Sequence, residues 1–250
     1  ATFLKNMSHD IRTPMNAIMG FTTLATTHLD DKLRVADSLK KIQNSSNHLL
    51  SLINDILDMS RIEAGKIRLK EKENSLKDVL NDVKNIVQAD LKRKRLESVF
   101  EFDVKNKHVW CDKLRLDQVL LNFLSNSIKY TLVGGKIELS IKQVPCHAEN
   151  FGAYEFRVKD NGIGMSKEFL DHIFEPFHRE NNTTMSGLNG TGLGMTISKN
   201  MIDMMGGTIQ IKSEKGVGTE IVCKFTFKLA DNQDIEDVVE NLEKDNSAKT

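Results

Sequence analysis

The sequence predicts a multi-domain protein: an all-α helical hairpin that pairs with a second copy into a four-helix bundle, followed by an α/β domain. Near the N-terminus, apolar residues recur at alternating intervals of three and four, which is typical of packed helices. Beyond residue 66, strand-like and helical segments alternate up to about residue 230. A chain of 250 residues, 39% of them hydrophobic, is long enough for both cores.

Two segments carry the narrow apolar seam of a helical hairpin, one on each side of a polar connection near residues 28–31. Such helices leave an apolar stripe too exposed for a single copy to keep in water. Two hairpins packed as a four-helix bundle would cover both stripes, so the pattern predicts a homodimer. The seams consist of Leu4, Met7, Ile11, Pro14, Ile18 and Phe21, and of Val35, Leu39, Ile42, Ser46, Leu49, Ile53 and Ile56.

Alternating segments between residues 67 and 230 predict the α/β domain, and the acidic residues 231–250 predict a linker or a frayed helix. Strands are predicted over residues 67–70, 97–104, 136–144, 154–159, 208–213 and 219–229. Helices are predicted over residues 75–94, 113–130 and 191–205.

The composition excludes several classes of function. Lys plus Arg (35) equals Asp plus Glu (35), so no overall positive field would attract nucleic acid or an anionic membrane. Three cysteines without CxxC spacing argue against a disulfide framework or a zinc site. No apolar run approaches the roughly 20 residues of a membrane helix. Neither a P-loop pattern nor a GxGxxG after the first strand of a βαβ unit occurs, which excludes those two kinds of nucleotide site.

The predicted helix 113–130 is apolar on most faces but carries one polar face. Buried amides and an ammonium group are costly without partners, so this face is expected to line a wet cavity or a polar ligand. A solvent-exposed stripe is the alternative. The polar residues follow one another at intervals of three or four: Arg115, Gln118, Asn122, Asn126 and Lys129.

Three glycine-rich segments lie next to predicted element ends: DNGIG at 160–164, GTGLG at 190–194 and GVGT at 216–219. In the first, the aspartate can accept a hydrogen bond from an exocyclic amine, and the glycines let a ligand approach the backbone. The second begins a helix, where free N–H groups favour phosphate oxygens. The third most simply forms a tight turn. The polar stretch 178–189 contains almost nothing that could pack, which predicts a lid over the site.

The first helix contains the stretch MSHDIRTPMNAIMGF, with a histidine and an aspartate one turn before a proline. If Leu4 occupies a heptad a position, His9 lies at the outward f position and Asp10 at g. A lone outward histidine is usually plain surface. Pro14 cannot donate to the carbonyl of Asp10 and crowds it, which predicts a bend and a candidate hinge there.

Taken in order, these segments resemble the sensor histidine kinases of two-component signalling. MSHDIRTP is similar to the phosphoacceptor box, DKLRLDQVLLNFLSNSIKYT to the N box, and DNGIGM, IFEPFHRE and GTGLGM to the G1, F and G2 boxes. The resemblance covers about residues 3–229. It implies a dimerisation and histidine-phosphotransfer domain over 1–66 and a catalytic ATP-binding domain over 67–230. The second would be a two-layer α/β sandwich of the Bergerat type found in gyrase, Hsp90 and MutL.

The activity that the resemblance implies is autophosphorylation of His9 from ATP, with transfer to an aspartate of a response-regulator receiver domain, separate or fused. Dephosphorylation of that partner is a further expectation, with Thr13 helping to position a water. Asp10 would hold the other ring nitrogen's proton, although many relatives have glutamate there. ATP and Mg²⁺ are the implied cofactors. The implied location is the cytoplasmic portion of a membrane-associated bacterial sensor, with any membrane part outside this chain and no nucleic acid among its partners.

The resemblance also assigns roles in the ATP-binding domain. Asn126 would be an oxygen ligand of Mg²⁺, Asp160 would accept a hydrogen bond from the adenine amino group, and Arg179 would meet the γ-phosphate. Phe174 and Phe177 would anchor the lid. The implied catalytic residues are His9, Asp10, Thr13 and Arg179. The implied cofactor-binding residues are Asn122, Asn126, Lys129, Tyr130, Asp160, Gly162, Gly164, Gly190, Thr191, Gly192, Leu193, Gly194 and Thr219, of which Tyr130 is equally well explained as a core aromatic.

Two alternatives remain at this point. One is an ATP hydrolase of the same superfamily, in which a glutamate stands where this chain has Asn122, whose amide cannot act as a general base. The other is a catalytically silent scaffold that binds nucleotide or a receiver domain. The scaffold is disfavoured by an intact set of catalytic and binding residues: His9, Asp10, Asn126, Asp160 and Arg179.

Overall fold

The computed structural model of the protein describes residues 2–180 and 191–230, with side chains from residue 7 onward. Within these ranges the helices are α1 Thr2–Thr27, α2 Lys32–Glu63, α3 Leu76–Arg93, α4 Lys113–Tyr130, α5 Lys167–Leu170 and α6 Gly194–Met204. The strands are β1 Lys72–Ser75, β2 Glu97–Asp103, β3 His108–Cys111, β4 Lys136–Val144, β5 Phe151–Asp160, β6 Thr208–Glu214 and β7 Gly218–Leu229. None of these helices combines the length and the apolar character needed to cross a bilayer.

The two N-terminal helices form the predicted hairpin. Asp31 begins α2 as its N-cap, and its carboxylate accepts a hydrogen bond from the Arg34 N–H at 3.1 Å. Inside the hairpin, the covered side chains of α2 recur every seven residues, as in a coiled coil. This row contains Ser38, Ser45, Leu52 and Met59, of which Ser45 is half-buried and the others are buried.

The predicted seam of α2 is only partly covered within one hairpin. Its half-buried members are Val35, Ile42, Leu49 and Ile56. The seam also includes Leu39 and Ile53, which are 56% and 41% exposed, and Ser46, which is also exposed. It omits Leu52, which is fully buried. Residues one position apart lie about 100° apart around a helix, so the rows starting at residues 38 and 39 flank the half-buried row that starts at Val35. Spacing alone cannot tell which of these two flanking rows packs inside the hairpin and which faces outward.

One mixed sheet forms the centre of the second domain. Its main path has the order β1-β3-β7-β5-β4-β2, and β6 pairs with the first half of β7. β2 and β4 are parallel, and the other neighbours are antiparallel. The long strand β7 therefore joins the two parts of the sheet.

Helices α3, α4 and α6 cover one face of this sheet, and their apolar side chains share a core with those of β4, β5 and β7. The opposite face carries charged pairs such as Arg157 with Glu220, 2.7 Å apart. This is the predicted two-layer α/β arrangement. In β5 every second residue points into the core, and the row ends with a carboxylate on the helix-covered face. The row consists of Gly152, Tyr154, Phe156, Val158 and Asp160.

The sheet edge differs from the prediction. Residues 67–70 form no strand; β1 begins at Lys72, and the unpredicted strand β3 pairs with it. Each of these strands has four residues, which is too short for a two-residue alternation to stand out. The short helix α5 was also not predicted. The bounds of α4 and β4 agree with the prediction because longer elements show their periodicity over several repeats.

Candidate active site

A cavity of about 380 Å³ lies where α4, the end of β5, the start of α6 and one face of α2 meet. Many of the residues expected to bind nucleotide line it. These are Asn122, Asn126, Lys129, Tyr130, Asp160, Gly164, Arg179, Thr191, Gly192, Gly194 and Thr219. The structure therefore brings together side chains that are up to 97 positions apart in the chain.

Asp160 is a buried carboxylate in the cavity wall, with only 9% of its surface exposed. One carboxylate oxygen accepts the hydroxyl hydrogen of Ser127 at 2.7 Å, and the other accepts the N–H of Gly162 at 3.0 Å. A carboxylate has about four acceptor positions, so two remain for further donors. An exocyclic amine of a ligand is a suitable donor for this site.

The loop after Asp160 is held tightly between α4 and the β6–β7 turn. The N–H of Ile163 donates to the carbonyl of Tyr130 at 3.1 Å, and the N–H of Gly216 donates to the carbonyl of Ile163 at 2.7 Å. At Gly164, φ is +61°, and an added Cβ would lie 1.9 Å from the carbonyl oxygen of Glu214. Glycine is thus required there by both backbone conformation and space.

The polar face of α4 divides into two parts. Asn122, Asn126 and Lys129 line the cavity, as the wet-cavity interpretation predicts. Near the start of the helix, Gln118 instead donates to a carboxylate oxygen of Asp58 in α2 at 2.9 Å, and Arg115 donates to Gln118. The first part of the stripe is therefore a contact with the hairpin.

The two cavity amides are held on their nitrogen side. Asn122 Nδ2 donates to the hydroxyl of Ser198 at 2.8 Å, and Asn126 Nδ2 lies 3.7 Å from the sulfur of Met195. The Lys129 ammonium lies over the Tyr130 ring, 4.8 Å from its centroid. Amide carbonyl oxygens are neutral, hard donors of the kind that Mg²⁺ accepts.

Helix α6 begins in the cavity with glycine. No side chain caps its first turn, so backbone N–H groups there are available to an anion. The hydroxyl of Thr191 accepts the N–H of Leu193 at 3.2 Å. Gly192 has a φ of +71°, and its carbonyl accepts the Phe177 N–H at 3.0 Å.

Three predicted binding residues stand apart from the cavity side chains. Leu193 is fully buried in the core, so only its backbone can take part in binding. Gly162 supports the site through its N–H to Asp160 without lining the cavity. Gly190 lies outside the described residues, as does most of the predicted lid, residues 181–189. The GVGT segment forms the expected tight turn between β6 and β7.

His9 is 78% exposed on α1, in agreement with its outward heptad position. Its Nδ1 lies 3.4 Å from one carboxylate oxygen of Asp10, and the other oxygen accepts from the Arg179 guanidinium. Arg179 also donates to the carbonyl of Thr191 at 3.1 Å. The Thr13 hydroxyl donates to the His9 carbonyl at 3.2 Å. α1 stays helical through Pro14, so the expected hinge stays a prediction.

The contribution of α2 to the cavity wall was not predicted from the sequence. His48, Ser51 and Asp55 lie on one face of α2 and line the same cavity. Asp55 accepts the Thr191 hydroxyl hydrogen at 2.9 Å. Burial raises the pKa of the Asp55 carboxyl, and Asp58 adds to the rise, while the Thr191 hydrogen bond opposes it. Polar residues at this spacing on a bundle helix look like an ordinary solvent-facing stripe.

The role of Lys94 was also not predicted from the sequence. Its ammonium donates to the carbonyls of Ile128 and Lys129, at 2.5 and 2.8 Å, in the last turn of α4. A cation at this position satisfies unpaired carbonyls and interacts favourably with the negative end of the helix dipole. Lys94 therefore supports the turn of α4 that presents Lys129 and Tyr130 to the cavity. Its burial lowers the pKa of this ammonium group.

We expect Gly164→Ala to destabilise the fold by about 3 kcal/mol, because positive φ and a backbone clash act together. The matched control is Gly216→Ala, since Gly216 also has a positive φ, +80°, but an added Cβ there meets nothing within 4 Å. That control should lose about 1 kcal/mol from φ strain. Urea unfolding of both variants measures the difference, and equal losses would show that the Glu214 carbonyl can move aside.

The motifs and the geometry agree with the comparisons to known proteins. Residues 1–65 match the His Kinase A (phospho-acceptor) domain. Residues 111–231 match the family described as histidine kinase-, DNA gyrase B-, and HSP90-like ATPase.

Individual relatives span most of the chain. It is 36% identical over 229 residues to the autoinducer 2 sensor kinase/phosphatase LuxQ of Vibrio harveyi, covering 91% of this chain and 26% of LuxQ. It is 39% identical over 223 residues to the sensor protein GacS of Pseudomonas syringae pv. syringae, covering 87% of this chain and 24% of GacS. The chain thus spans about a quarter of the length of these curated relatives.

A solved structure extends the likeness to three dimensions. Full-length ShkA in complex with AMPPNP superposes with a TM-score of 0.66 at 27% identity, covering 91% of this chain and 46% of ShkA. Both family matches occur in the predicted order, one on the hairpin and one on the α/β domain. The chain therefore belongs to the sensor histidine kinases of two-component signalling, with a dimerisation domain and a catalytic ATP-binding domain.

Proposed function

We propose that this chain is an ATP-dependent protein-histidine kinase that phosphorylates its own His9 and passes the phosphoryl group to an aspartate of a receiver domain. One observation carries the proposal. The cavity formed by Asp160, the α4 amides and the start of α6 lies directly against the hairpin that bears His9. The ion pair between Asp10 and Arg179 joins the two domains at that point.

The proposed division of labour follows the fold. Residues 1–66 would dimerise and carry the phosphoryl group, residues 67–230 would bind and present ATP, and residues 231–250, outside the described part, would be a linker. ATP is the nucleotide of the cell interior, so we place this portion of the protein in the cytoplasm.

The cavity can bind ATP by complementary groups at its two ends. At the closed end, the free acceptor positions of Asp160 suit the adenine amino group, and Tyr130 lies beside the base. At the other end, the N–H groups at the start of α6 suit the phosphates, and the Lys129 ammonium, which lies over the Tyr130 ring, is a cation for the phosphates between the two ends. Glycines at 192 and 194 let the phosphates approach the backbone.

Magnesium fits the donor set of the cavity. The carbonyl oxygens of Asn126 and Asn122 could hold the ion, which keeps several waters and takes other ligands from phosphates. The ion would offset phosphate charge during transfer.

In the transfer step the Nε2 lone pair of neutral His9 attacks the γ-phosphorus. The N–P bond forms as the bond to the β,γ-bridging oxygen breaks, and ADP leaves with that electron pair. Asp10 holds the Nδ1 proton and stabilises the positive charge on the ring. Because Arg179 contacts Asp10 here and His9 does not line the cavity, the ATP-binding domain has to shift on the hairpin before transfer.

A homodimer would cover the apolar residues that the hairpin leaves in water. Met15, Met19, Leu39, Ile53 and Leu57 are between 41% and 65% exposed. Exposed apolar side chains on both helices of a hairpin are typical of an interface between copies.

A second activity, dephosphorylation of the receiver domain, is favoured by Thr13. Its exposed hydroxyl lies one turn beyond His9, where it can orient a water near a phosphoaspartate. The relative LuxQ is named a sensor kinase/phosphatase, which supports the same proposal.

The proposal is tested with the purified chain, Mg²⁺ and ATP labelled on the γ-phosphate. We expect label on the protein that is stable in base and lost in acid, and none when ATP is labelled on the α-phosphate. Hydrolysis to ADP without protein label would support the ATP hydrolase instead. Nucleotide binding with neither outcome would indicate the silent scaffold.

A further inference from the structure

One wall of the cavity does not belong to the ATP-binding domain. It is formed by α2 of the hairpin, through His48, Ser51 and Asp55. Asp55 is the acidic member of this face and is half-buried between the domains. An acidic side chain is unexpected in the wall of a site for a triphosphate, because like charges destabilise each other.

The contacts of Asp55 place its carboxylate at the phosphate end of the cavity. One oxygen accepts the hydroxyl hydrogen of Thr191 at 2.9 Å. The same hydroxyl accepts the N–H of Leu193 at 3.2 Å, immediately before α6 begins. Gly192 and Gly194, which are expected to lie against phosphates, line the cavity beside it. Asp55 thus places a carboxylate beside the segment that is expected to bind phosphate.

Several groups around Asp55 act on the pKa of its carboxyl. Burial raises the pKa of its carboxyl, and the neighbouring Asp58 adds to the rise. His48, one of the other α2 residues in this wall, has a smaller, opposing influence. The hydrogen bond from Thr191 also opposes the rise, which indicates that this bond stabilises the ionised carboxylate.

We propose that Asp55 is a residue of the nucleotide site whose negative charge, held beside the start of α6 by the Thr191 hydroxyl while the two domains are docked, lowers the affinity of the site for phosphates. The inference rests on the proposed function, since it assumes that ATP phosphates bind at the start of α6. Binding of ATP would then displace Asp55 from Thr191. By linkage, the docked arrangement binds ATP more weakly than one in which α2 has moved away.

The test measures nucleotide affinity of the full chain by calorimetry, with ATP, ADP and adenosine as separate ligands. In Asp55→Asn the side chain keeps its size and an oxygen for the Thr191 hydroxyl but loses its charge. We expect ATP to bind about fivefold more tightly, at the lower end of coupling energies between sites. ADP should gain less, and adenosine, which has no phosphate, should not change. Asp55→Ser should reproduce the gain.

Asp58→Asn is the matched control, because Asp58 lies one turn further along α2 and accepts from Gln118 at 2.9 Å outside the cavity. It should leave all three affinities unchanged. Unchanged or weaker ATP binding in Asp55→Asn would overturn the inference, as would an equal gain for adenosine. If the unmodified chain binds adenosine but phosphates add no affinity, the inference alone falls. If it binds none of the three ligands, the proposed function falls with it.

Discussion

His9→Gln is expected to remove all phosphoryl label from the protein while leaving ATP affinity unchanged. Glutamine is polar and helix-compatible, but its amide nitrogen has no available lone pair to attack phosphorus. His9 is 78% exposed and does not line the cavity, so its replacement should not disturb nucleotide binding. Incubation with γ-labelled ATP and Mg²⁺, followed by a base wash, measures the label, and calorimetry measures the affinity.

His48→Gln is the matched control for this experiment. His48 lines the nucleotide cavity in the docked arrangement, whereas His9 lies outside it, so proximity alone would favour His48 as the acceptor. We expect the His48 variant to keep its label. Label that persists in His9→Gln and disappears in His48→Gln would contradict the proposed acceptor and assign the chemistry to α2.

Replacing Asp160 is expected to have the second largest effect, and two substitutions separate its roles. Asp160→Ala leaves the Ser127 hydroxyl and the Gly162 N–H without their buried acceptor. Each unsatisfied group costs about 1–3 kcal/mol, so we expect a loss of about 3 kcal/mol in the free energy of unfolding. Urea unfolding measures this loss.

Asp160→Asn should largely retain the fold. Its carbonyl can accept from Gly162, and the Ser127 hydroxyl can rotate to accept from its NH₂ group. A charge-assisted hydrogen bond to the adenine amine would still be lost, which predicts about tenfold to hundredfold weaker ATP binding. Calorimetry measures this affinity.

A ligand control tests whether the lost contact is with the amino group. Purine riboside triphosphate lacks that group, so the unmodified chain should bind it less tightly than ATP. Asp160→Asn should weaken ATP much more than this analogue. If both ligands lose affinity equally, Asp160 acts by shaping the loop and not by contacting the base.

Local patterns were sufficient for most elements of the ATP-binding domain. α4 and β4 have the predicted bounds, and α4 begins after an N-cap, Asp112, whose carboxylate accepts the Arg115 N–H at 3.2 Å. The alternation of β5 correctly indicated a half-buried strand ending at Asp160. The edge strands β1 and β3 were not predicted, because four residues are too few to show a two-residue alternation.

In the hairpin, the sequence did not predict which of two rows of α2 side chains is buried. The sequence showed an apolar stripe on α2 but not that Leu52 packs inside while Ile53 remains exposed. Likewise, the stripe on α4 indicated a polar environment without showing that Gln118 meets Asp58 of the hairpin and Asn126 meets the cavity. Both distinctions depend on what lies opposite each row.

By itself the sequence determined the two kinds of domain, the order of the motifs, the outward position of His9 and the polar face that carries the α4 amides. These follow from helix and strand periods and from spacing between near neighbours. Only the tertiary structure decided that Asp55 and His48 enter the nucleotide cavity, that Arg179 contacts Asp10, and that Lys94 supports the end of α4. Each of these joins residues at least 34 positions apart, and no local period carries information about which distant surfaces will pack together.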